Sequence, residues 1–361
     1  MNRFMSWIKE HSSGLTNKLQ LEILPRFRLS TLASSKISDG ELYIEIPESL
    51  FIGPDSANKA NPRMTKLFDA AGLDDLHRTI IFLLYEKHRG NESLWAPYFD
   101  VLPAEFTTPY YFSKEELGEF QGSPIVDEVM RERVSTRKTY DHLRSALFSP
   151  HRDVFAKKAF SLKQYEWAVS LYNSRVIQLD FGGGRRRPTF VPLIDMVNCK
   201  ESHDKTFIPF DRRTKRAVLY ADRAVASGDQ VFETYGNKSN AEYLRFNGFV
   251  MVDNPNDCFL VRPPQNKRTA MCLKSNEVRR FLAWAQDKET VAMYPEAAHL
   301  MPHAPARFIQ TVFKRQLENY PTTIQEDEAL LEDDSLSEHY RLTVEYRLEE
   351  KRAIARLLNS L

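Results

Sequence analysis

Near the middle of this 361-residue chain runs the sequence Phe190-Val191-Pro192-Leu193-Ile194-Asp195-Met196-Val197-Asn198-Cys199. Its apolar first part predicts a buried strand over residues 190–193. Asp195 and Asn198 follow, and both are polar side chains that are costly to bury without partners. An Asx turn at the end of a strand would explain them without any function, so this segment is informative only together with another.

A second segment follows about forty residues later: Gln230-Val231-Phe232-Glu233-Thr234-Tyr235-Gly236-Asn237-Lys238-Ser239-Asn240-Ala241-Glu242. A strand over residues 230–234 would deliver Tyr235 to a glycine turn. Ser239 or Asn240 would then cap the helix that follows. Taken alone, Tyr235 is most simply an aromatic residue at a strand end.

Outward from these segments the pattern changes along the chain. Period-two alternation predicts a strand over residues 41–46, and further strands are expected at 217–221 and 230–234. Residues 64–88 and most of 106–163 have helical character. After Pro263-Pro264 the pattern becomes helical throughout, with candidates at 276–287, 307–319, 324–331 and 337 to about 359. We therefore expect an α+β protein: a β-rich domain over residues 1–262 with a helical insertion at about 60–170, and an all-α domain over residues 263–361.

Composition narrows the class of protein. The chain is 42% hydrophobic and 27% charged with a formal net charge of +1, which is ordinary for a soluble globular protein and offers no general attraction to nucleic acid or membrane. The basic run Arg185-Arg186-Arg187 is interpreted as a solvated loop. No segment resembles a signal peptide or a membrane span. We expect an intracellular monomer, in the cytoplasm, the nucleus or both.

The three cysteines, Cys199, Cys258 and Cys272, are odd in number and widely spaced. This argues against a disulfide framework, and the absence of C-x-x-C spacing means that no metal is expected. Phosphate-loop, dinucleotide-binding, nucleophile-elbow and zinc-protease motifs are also missing. Gly182-Gly183-Gly184 precedes a strand and does not open a helix, so it predicts a hairpin loop.

Together, the two central segments resemble the SET-domain protein methyltransferases, in the branch that contains the Rubisco-lysine and actin-histidine enzymes. The family pattern P-L-x-D-x-x-N-H is matched by residues 192–199, and Y-G-x-x-S-N-A-E by residues 235–242, with Gly248-Phe249 after it. The resemblance extends over nearly the whole chain. Its other matches are residues 39–47, the motif S-x-W-x-P-Y at 93–98 with Leu102-Pro103, Asn173-Ser174-Arg175, residues 320–323, Asp327-Glu328 and residues 347–352.

The resemblance implies a knot-like SET domain joined to a helical domain that binds the protein substrate. It implies S-adenosylmethionine (AdoMet) as the cofactor and Tyr235 as the catalytic residue beside the transferred methyl. The residues that it places around the cofactor are Phe27, Arg28, Leu29, Arg175, Asp195, Met196, Val197, Asn198, Cys199, Asn247, Gly248 and Phe249.

Two positions depart from the family pattern. Cys199 stands in place of histidine, and Arg28-Leu29-Ser30 stands in place of Gly-x-Gly, where glycine allows positive φ and close approach of a ligand. These changes leave open an alternative, a catalytically weak SET-like module that binds proteins. The presence of Arg175, Asn198 and Tyr235 favours the enzyme.

The acceptor side chain is predicted from Ile177 and Asn247. In the resembled family, enzymes acting on lysine tend to carry aromatic residues at both positions, whereas the histidine enzyme carries polar ones. This chain has one apolar and one polar residue. We predict lysine, because Ile177 cannot hydrogen-bond an imidazole, with histidine as the alternative. Both positions, with Tyr235, are expected to contact the substrate.

Overall fold

The computed structural model describes residues 1–12, 18–25, 27–200, 208–261, 271–274, 278–286 and 288–361. These residues form two compact units, residues 1–105 with 136–236, and residues 106–135 with 237–361. Each unit is therefore assembled from separate stretches of chain. The domain boundary expected near residue 263 stays a prediction, because these units are defined by packing alone.

The helices account for much of the chain. In order they are α1 (Asn2–His11), α2 (Ser56–Ala60), α3 (Pro62–Ala70), α4 (Asp75–Arg89), α5 (Ala96–Phe99), α6 (Lys114–Gly118), α7 (Ile125–Leu143), α8 (Leu162–Arg175), α9 (Asn240–Glu242), α10 (Val278–Ala285), α11 (Lys288–Ala292), α12 (Pro305–Glu318), α13 (Ile324–Leu331) and α14 (Glu338–Ser360). Short π-helical turns, Arg144–Phe148 and Tyr243–Asn247, continue α7 and α9.

The strands are short. They are β1 (Leu19–Leu24), β2 (Arg28–Ala33), β3 (Leu42–Pro47), β4 (Ile177–Asp180), β5 (Arg186–Thr189), β6 (Phe210–Asp211), β7 (Arg216–Tyr220), β8 (Phe259–Val261) and β9 (Met271–Leu273). The described strands pair antiparallel in four small sheets, β1-β2, β3-β7-β6, β4-β5 and β8-β9. The three glycines at 182–184 lie in the β4-β5 loop, so the predicted hairpin is confirmed.

Single bridges connect the sheets of the first unit. Leu32 bridges Gln230, Ile37 bridges Val225 and Ile52 bridges Phe190, all antiparallel, whereas Asn198 and Phe232 form a parallel bridge. The strands expected at 190–193 and 230–234 are therefore wrong as continuous strands. Their backbone groups bond to several distant segments in turn, which prevents a regular ladder from forming with any one of them.

Local sequence signals explain where the helices of the second unit begin. Thr323 and Glu326 form a reciprocal capping box at the start of α13, and the Ser337 side chain accepts a hydrogen bond from the Tyr340 amide at the start of α14. Both helices were expected at these positions. Helix α14 contributes to two apolar clusters, one that includes Trp284, Phe308 and Ile354 and another that includes Phe112, Phe120 and Tyr346.

Helix α14 also carries charges into this interior. The Arg347 and Lys351 side chains are 0% and 2% exposed, and both contact the fully buried carboxylate of Asp327. Asp327 accepts hydrogen bonds from Arg347 Nε at 3.0 Å and Nη2 at 2.8 Å, from Lys351 Nζ at 2.7 Å and from Thr322 Oγ1 at 2.8 Å. Burial opposes ionisation, but these donors outweigh it and lower the pKa of Asp327.

Two expectations about cysteine and membrane segments can be compared with the fold. Cys199 is a free, buried thiol, but Cys258 is disulfide-bonded, so the argument against disulfides is wrong at Cys258. No helix among the described residues is long and apolar enough to span a membrane.

Candidate active site

The site begins at a strained turn after β5. Leu193, which is fully buried, has φ +75° and ψ −46°, a conformation that costs a non-glycine residue on the order of 1–3 kcal/mol. A 3₁₀ turn, Ile194–Met196, follows directly. Strain of this kind persists only where the surroundings hold it, and here it turns the backbone of residues 195–198 toward several other segments.

Each of these four residues uses its carbonyl oxygen to hold a different group. The carbonyls of 195, 196, 197 and 198 accept, in turn, from Arg175 Nη1 at 2.7 Å, Thr31 Oγ1 at 3.1 Å, the Tyr235 hydroxyl at 3.0 Å and the Glu233 amide at 2.8 Å. We call residues 195–198 the carbonyl row. The two segments singled out in the sequence therefore meet here through hydrogen bonds, although about forty residues separate them.

Tyr235 reaches the carbonyl row from an extended segment. The parallel bridge between Asn198 and Phe232 fixes the backbone three residues earlier, and Gly236, with φ +89°, turns the chain immediately afterwards. Burial raises the pKa of the Tyr235 hydroxyl well above its ordinary value. The hydroxyl therefore stays protonated at neutral pH, with its hydrogen directed at the Val197 carbonyl.

Asn198 is oriented by the hairpin of β1 and β2. Its Nδ2 donates to the Leu29 carbonyl at 3.1 Å and to Ser30 Oγ at 3.2 Å. Ser30 is fully buried, so the side chain that replaces the family's glycine is turned into the packed interior, where it holds Asn198. Arg28 has φ +57°, the left-handed conformation that glycine adopts at about 1 kcal/mol less.

Arg175 and Asp195 form a buried pair beside the carbonyl row. Arg175 Nη1 lies 3.8 Å from Asp195 Oδ2, and their side chains are 18% and 0% exposed. The Tyr98 hydroxyl, fully buried, donates to the same Oδ2. Burial raises the pKa of Asp195 to about 6, although the Arg175 charge opposes this. The charges of both residues act on the Tyr235 hydroxyl.

The remaining predicted residues of the first unit lie as follows. Phe27 is 36% exposed and packs on the Phe232 ring at 5.5 Å. Cys199 is buried directly after Asn198. Ile177, half-buried, begins β4 opposite Thr189. The structure thus brings Arg175, Tyr235 and residues 195–198 together through hydrogen bonds, while Ile177 has only a position in a strand.

Asn247, Gly248 and Phe249 belong to the second unit. Asn247 Oδ1 accepts from Lys238 Nζ at 3.3 Å, and the Phe249 ring stacks on Tyr243 at 4.7 Å. Gly248 has φ +75°, and a Cβ there would lie 2.9 Å from Thr107 Oγ1. Glycine is therefore required at this turn for backbone reasons, and the cofactor role expected for these three residues stays a prediction.

Sequence reasoning missed three residues of this arrangement. Tyr98 was visible in the S-x-W-x-P-Y motif but received no role, Thr31 gave no signal, and Glu233 was noted only as part of a strand. The Tyr43 hydroxyl donates to Glu233 Oε1 at 2.8 Å. Paired polar residues at the ends of buried segments are the signal that could have found them. Within the described part of the chain, no group of three or more His, Cys, Asp or Glu side chains suits a metal ion.

Comparison with known proteins agrees with this geometry. A family model described as Rubisco LSMT substrate-binding matches residues 269–354. The actin-histidine N-methyltransferase of Xenopus tropicalis is 27% identical over 260 residues, covering 70% of this chain and 44% of that protein. The Drosophila melanogaster enzyme of the same name is 27% identical over 294 residues, covering 75% of this chain and 52% of that protein. The chain thus spans about half the length of these curated relatives.

Solved structures match over almost the whole chain. The SET domain of LSMT bound to lysine and AdoHcy aligns with a TM-score of 0.76 at 20% identity, covering 99% of this chain and 90% of that one. Rubisco LSMT bound to AdoMet aligns with a TM-score of 0.75 at 21% identity, with the same coverage. The α+β fold with a SET domain and a helical C-terminal part is confirmed, as is the resemblance to this branch of methyltransferases. The roles of single site residues stay predictions.

Proposed function

We propose that this protein transfers a methyl group from AdoMet to a protein side chain, with lysine as the acceptor. One observation supports this above the others: the Tyr235 hydroxyl is held on the Val197 carbonyl at 3.0 Å, at the crossing of the two segments and on a SET fold. A binding module without catalysis would not need this hydroxyl to be oriented.

The residues present fit the cofactor. Asn198 is fixed through its amide nitrogen, which leaves its carbonyl oxygen directed elsewhere, and Ser30 does not intrude because its side chain is buried against Asn198. AdoMet supplies an electrophilic methyl on sulfonium: the acceptor nitrogen forms the N–C bond as the C–S bond breaks, leaving S-adenosylhomocysteine. The neighbourhood of Phe27, Arg175 and residues 195–198 is the proposed place for it.

Tyr235 orients the acceptor. Because its hydrogen is directed to Val197, the hydroxyl oxygen offers its lone pairs to an N–H of the incoming amine. It does not act as a base at neutral pH, since burial raises its pKa. A lysine must lose a proton first, which costs roughly 4–5 kcal/mol at pH 7 for a pKa of ~10.4. Desolvation of the amine in the site would lower that cost, and the proton leaves to water.

Two acceptor side chains, lysine and histidine, each have an observation in their favour. Ile177 favours lysine because an apolar side chain offers an imidazole no hydrogen bond. The name shared by the relatives from Xenopus tropicalis and Drosophila melanogaster favours histidine, whose ring is already mostly neutral at pH 7. The C-terminal part of the chain, residues 263–361, is the proposed binding region for the protein substrate, as the description of the family model over 269–354 suggests.

Replacing Tyr235 with phenylalanine tests the function. Methyl transfer to a verified substrate should fall about 10²–10³-fold, because one oriented hydrogen bond to the reacting group is lost. AdoMet affinity, measured by calorimetry, should change little. Tyr220→Phe is the matched control, since Tyr220 is 49% exposed at the end of β7 and should leave transfer unchanged. Wild-type turnover in Tyr235→Phe would contradict the role of the hydroxyl.

The acceptor is identified by mass spectrometry of methylated peptide libraries, together with a pH profile. Lysine transfer should rise with pH as the amine deprotonates, whereas histidine transfer should be flat above about pH 7. Ile177→Asn should lower lysine activity and could admit histidine, because it places an amide in the expected channel. Methyl-histidine as the sole wild-type product would replace lysine as the acceptor and leave the methyltransferase proposal intact.

A further inference from the structure

The Asp195 carboxyl group is incompletely paired for a buried acid. Its side chain is 0% exposed. Oδ2 accepts from Tyr98 and lies 3.8 Å from Arg175 Nη1, which is longer than a hydrogen bond. Oδ1 makes no hydrogen bond of good geometry with the residues that the structure describes, although the Asp195 and Leu193 backbone amides lie near the carboxyl group and lower its pKa. Buried polar atoms without partners are uncommon, and each calls for an explanation.

Arg175 lies within ion-pair distance of this carboxylate and lowers its pKa, but the hydrogen bonds of Nη1 go elsewhere. Nη1 donates to the Asp195 backbone carbonyl at 2.7 Å and approaches Met196 Sδ at 3.4 Å. The guanidinium is thus fixed against the carbonyl row, with the carboxylate behind it. The charges of Arg175 and Asp195 both act on the Tyr235 hydroxyl, as do those of Cys199 and Glu233, and Arg175 is the positive group among the four.

A cationic ligand at Tyr235 would meet both charges. The fixed guanidinium would repel a sulfonium at that place, since charges of the same sign in a poorly hydrated site interact strongly. A nearby carboxylate offsets this repulsion, because its opposite charge attracts the sulfonium through the same poorly hydrated surroundings.

We propose that Asp195 is the counter-charge that allows a sulfonium cofactor to bind beside Arg175, so that it favours AdoMet over S-adenosylhomocysteine, whose sulfur carries no charge. This inference rests on the proposed function. Asp195 acts through the electric field and does not contact the reacting atoms, so it is a positioning residue for charge. Burial raises the pKa of Asp195 to about 6, so its ionised form is under-stabilised. A second cation nearby would stabilise that ionised form.

Calorimetry with AdoMet and S-adenosylhomocysteine tests the inference, because the two ligands differ by one methyl and one charge. Asp195→Asn keeps the shape of the side chain and an acceptor for Tyr98. It should weaken AdoMet about tenfold, equivalent to about 1.4 kcal/mol, and change S-adenosylhomocysteine less than twofold. Arg175→Gln, which removes the opposite charge, should shift the ratio of the two affinities in the opposite direction.

Two controls separate charge from packing. Tyr98→Phe removes the hydrogen bond to Asp195 but keeps the carboxylate, so the ratio of affinities should persist. Glu350→Gln neutralises another fully buried acid, in the second unit, and should leave both affinities unchanged. Unfolding curves establish that each variant folds, and if Asp195→Asn does not, the Arg175→Gln ratio decides.

Two results would overturn the counter-charge role of Asp195 while leaving the methyltransferase proposal standing. One is an equal loss of affinity for both ligands in Asp195→Asn, and the other is an unchanged ratio of the two affinities in Arg175→Gln. Failure of the wild-type protein to bind either ligand would instead overturn the proposed function itself, and the inference with it.

Discussion

Two buried aspartates, one in each unit, have opposite surroundings. Asp327 accepts four hydrogen bonds from Thr322, Arg347 and Lys351, and its pKa is lowered despite burial. The Asp195 carboxylate accepts from the Tyr98 hydroxyl, its Oδ1 makes no hydrogen bond of good geometry in the described structure, and burial raises its pKa to about 6. Removing one member of a fully hydrogen-bonded charge cluster is costly, because it leaves the other buried charges poorly compensated. A buried acid with incomplete pairing and a raised pKa is instead a candidate for a functional role.

Neutralising Asp327 should produce the largest effect on stability. Asp327→Asn removes the buried carboxylate that Arg347 and Lys351 share, and leaves the more exposed Glu119, 3.5 Å from Arg347, as a weaker counter-charge. Breaking such a cluster typically costs about 3–5 kcal/mol. Urea unfolding at pH 7.5 measures it. An Asp327→Asn variant as stable as wild type would contradict the stabilising role of this carboxylate.

The same substitution at Asp195 should act in the opposite direction. Burial raises the pKa of the Asp195 carboxyl from 3.8 to about 6. Keeping this group ionised at neutral pH therefore costs the folded protein roughly 3 kcal/mol. Asp195→Asn should therefore raise the free energy of unfolding by up to about 3 kcal/mol, even as it impairs AdoMet binding. Glu350, whose pKa burial raises to about 7, should likewise gain stability as Gln, but without any effect on the cofactor. A destabilised Asp195→Asn would mean that the carboxylate is mainly structural.

The stability gained by Asp195→Asn over wild type should also depend on pH, and this change is smaller than the gain itself. Because the folded pKa of Asp195 is raised, the folded protein binds this proton more readily. The resulting stabilisation is full below pH 3.8 and is lost as pH rises through about 6. The advantage of Asp195→Asn over wild type should therefore grow by roughly 1–1.5 kcal/mol between pH 5 and 7.5. Urea unfolding at both values checks this, and a constant difference would contradict the raised pKa.

The helices of the second unit were the most predictable elements. Residues 324–331 form α13 as expected, and α14 begins after Ser337, because capping side chains and apolar periodicity act within a few residues. The strand expected at 217–221 was confirmed to within one residue as β7. These signals are local, so one sequence suffices to find them.

The site was predictable only in part. Arg175, Asn198 and Tyr235 followed from the resemblance, but the pairing of Asp195 with Tyr98 joins positions 97 residues apart. Neither periodicity nor propensity contains such information. The positive φ of Leu193 was equally hidden, because nothing in an apolar run indicates strain that distant contacts impose.

The carbonyl row has a consequence for how the protein folds. Its four acceptors are occupied by Thr31, Arg175, Glu233 and Tyr235, so no shorter piece of chain that ends before residue 235 can complete it. During synthesis, residues 190–197, which are apolar except for Asp195, lack their last hydrogen-bond partners until residue 235 has been made. Contacts of such long sequence separation slow folding, and the candidate site is therefore expected to be among the last parts of the first unit to form.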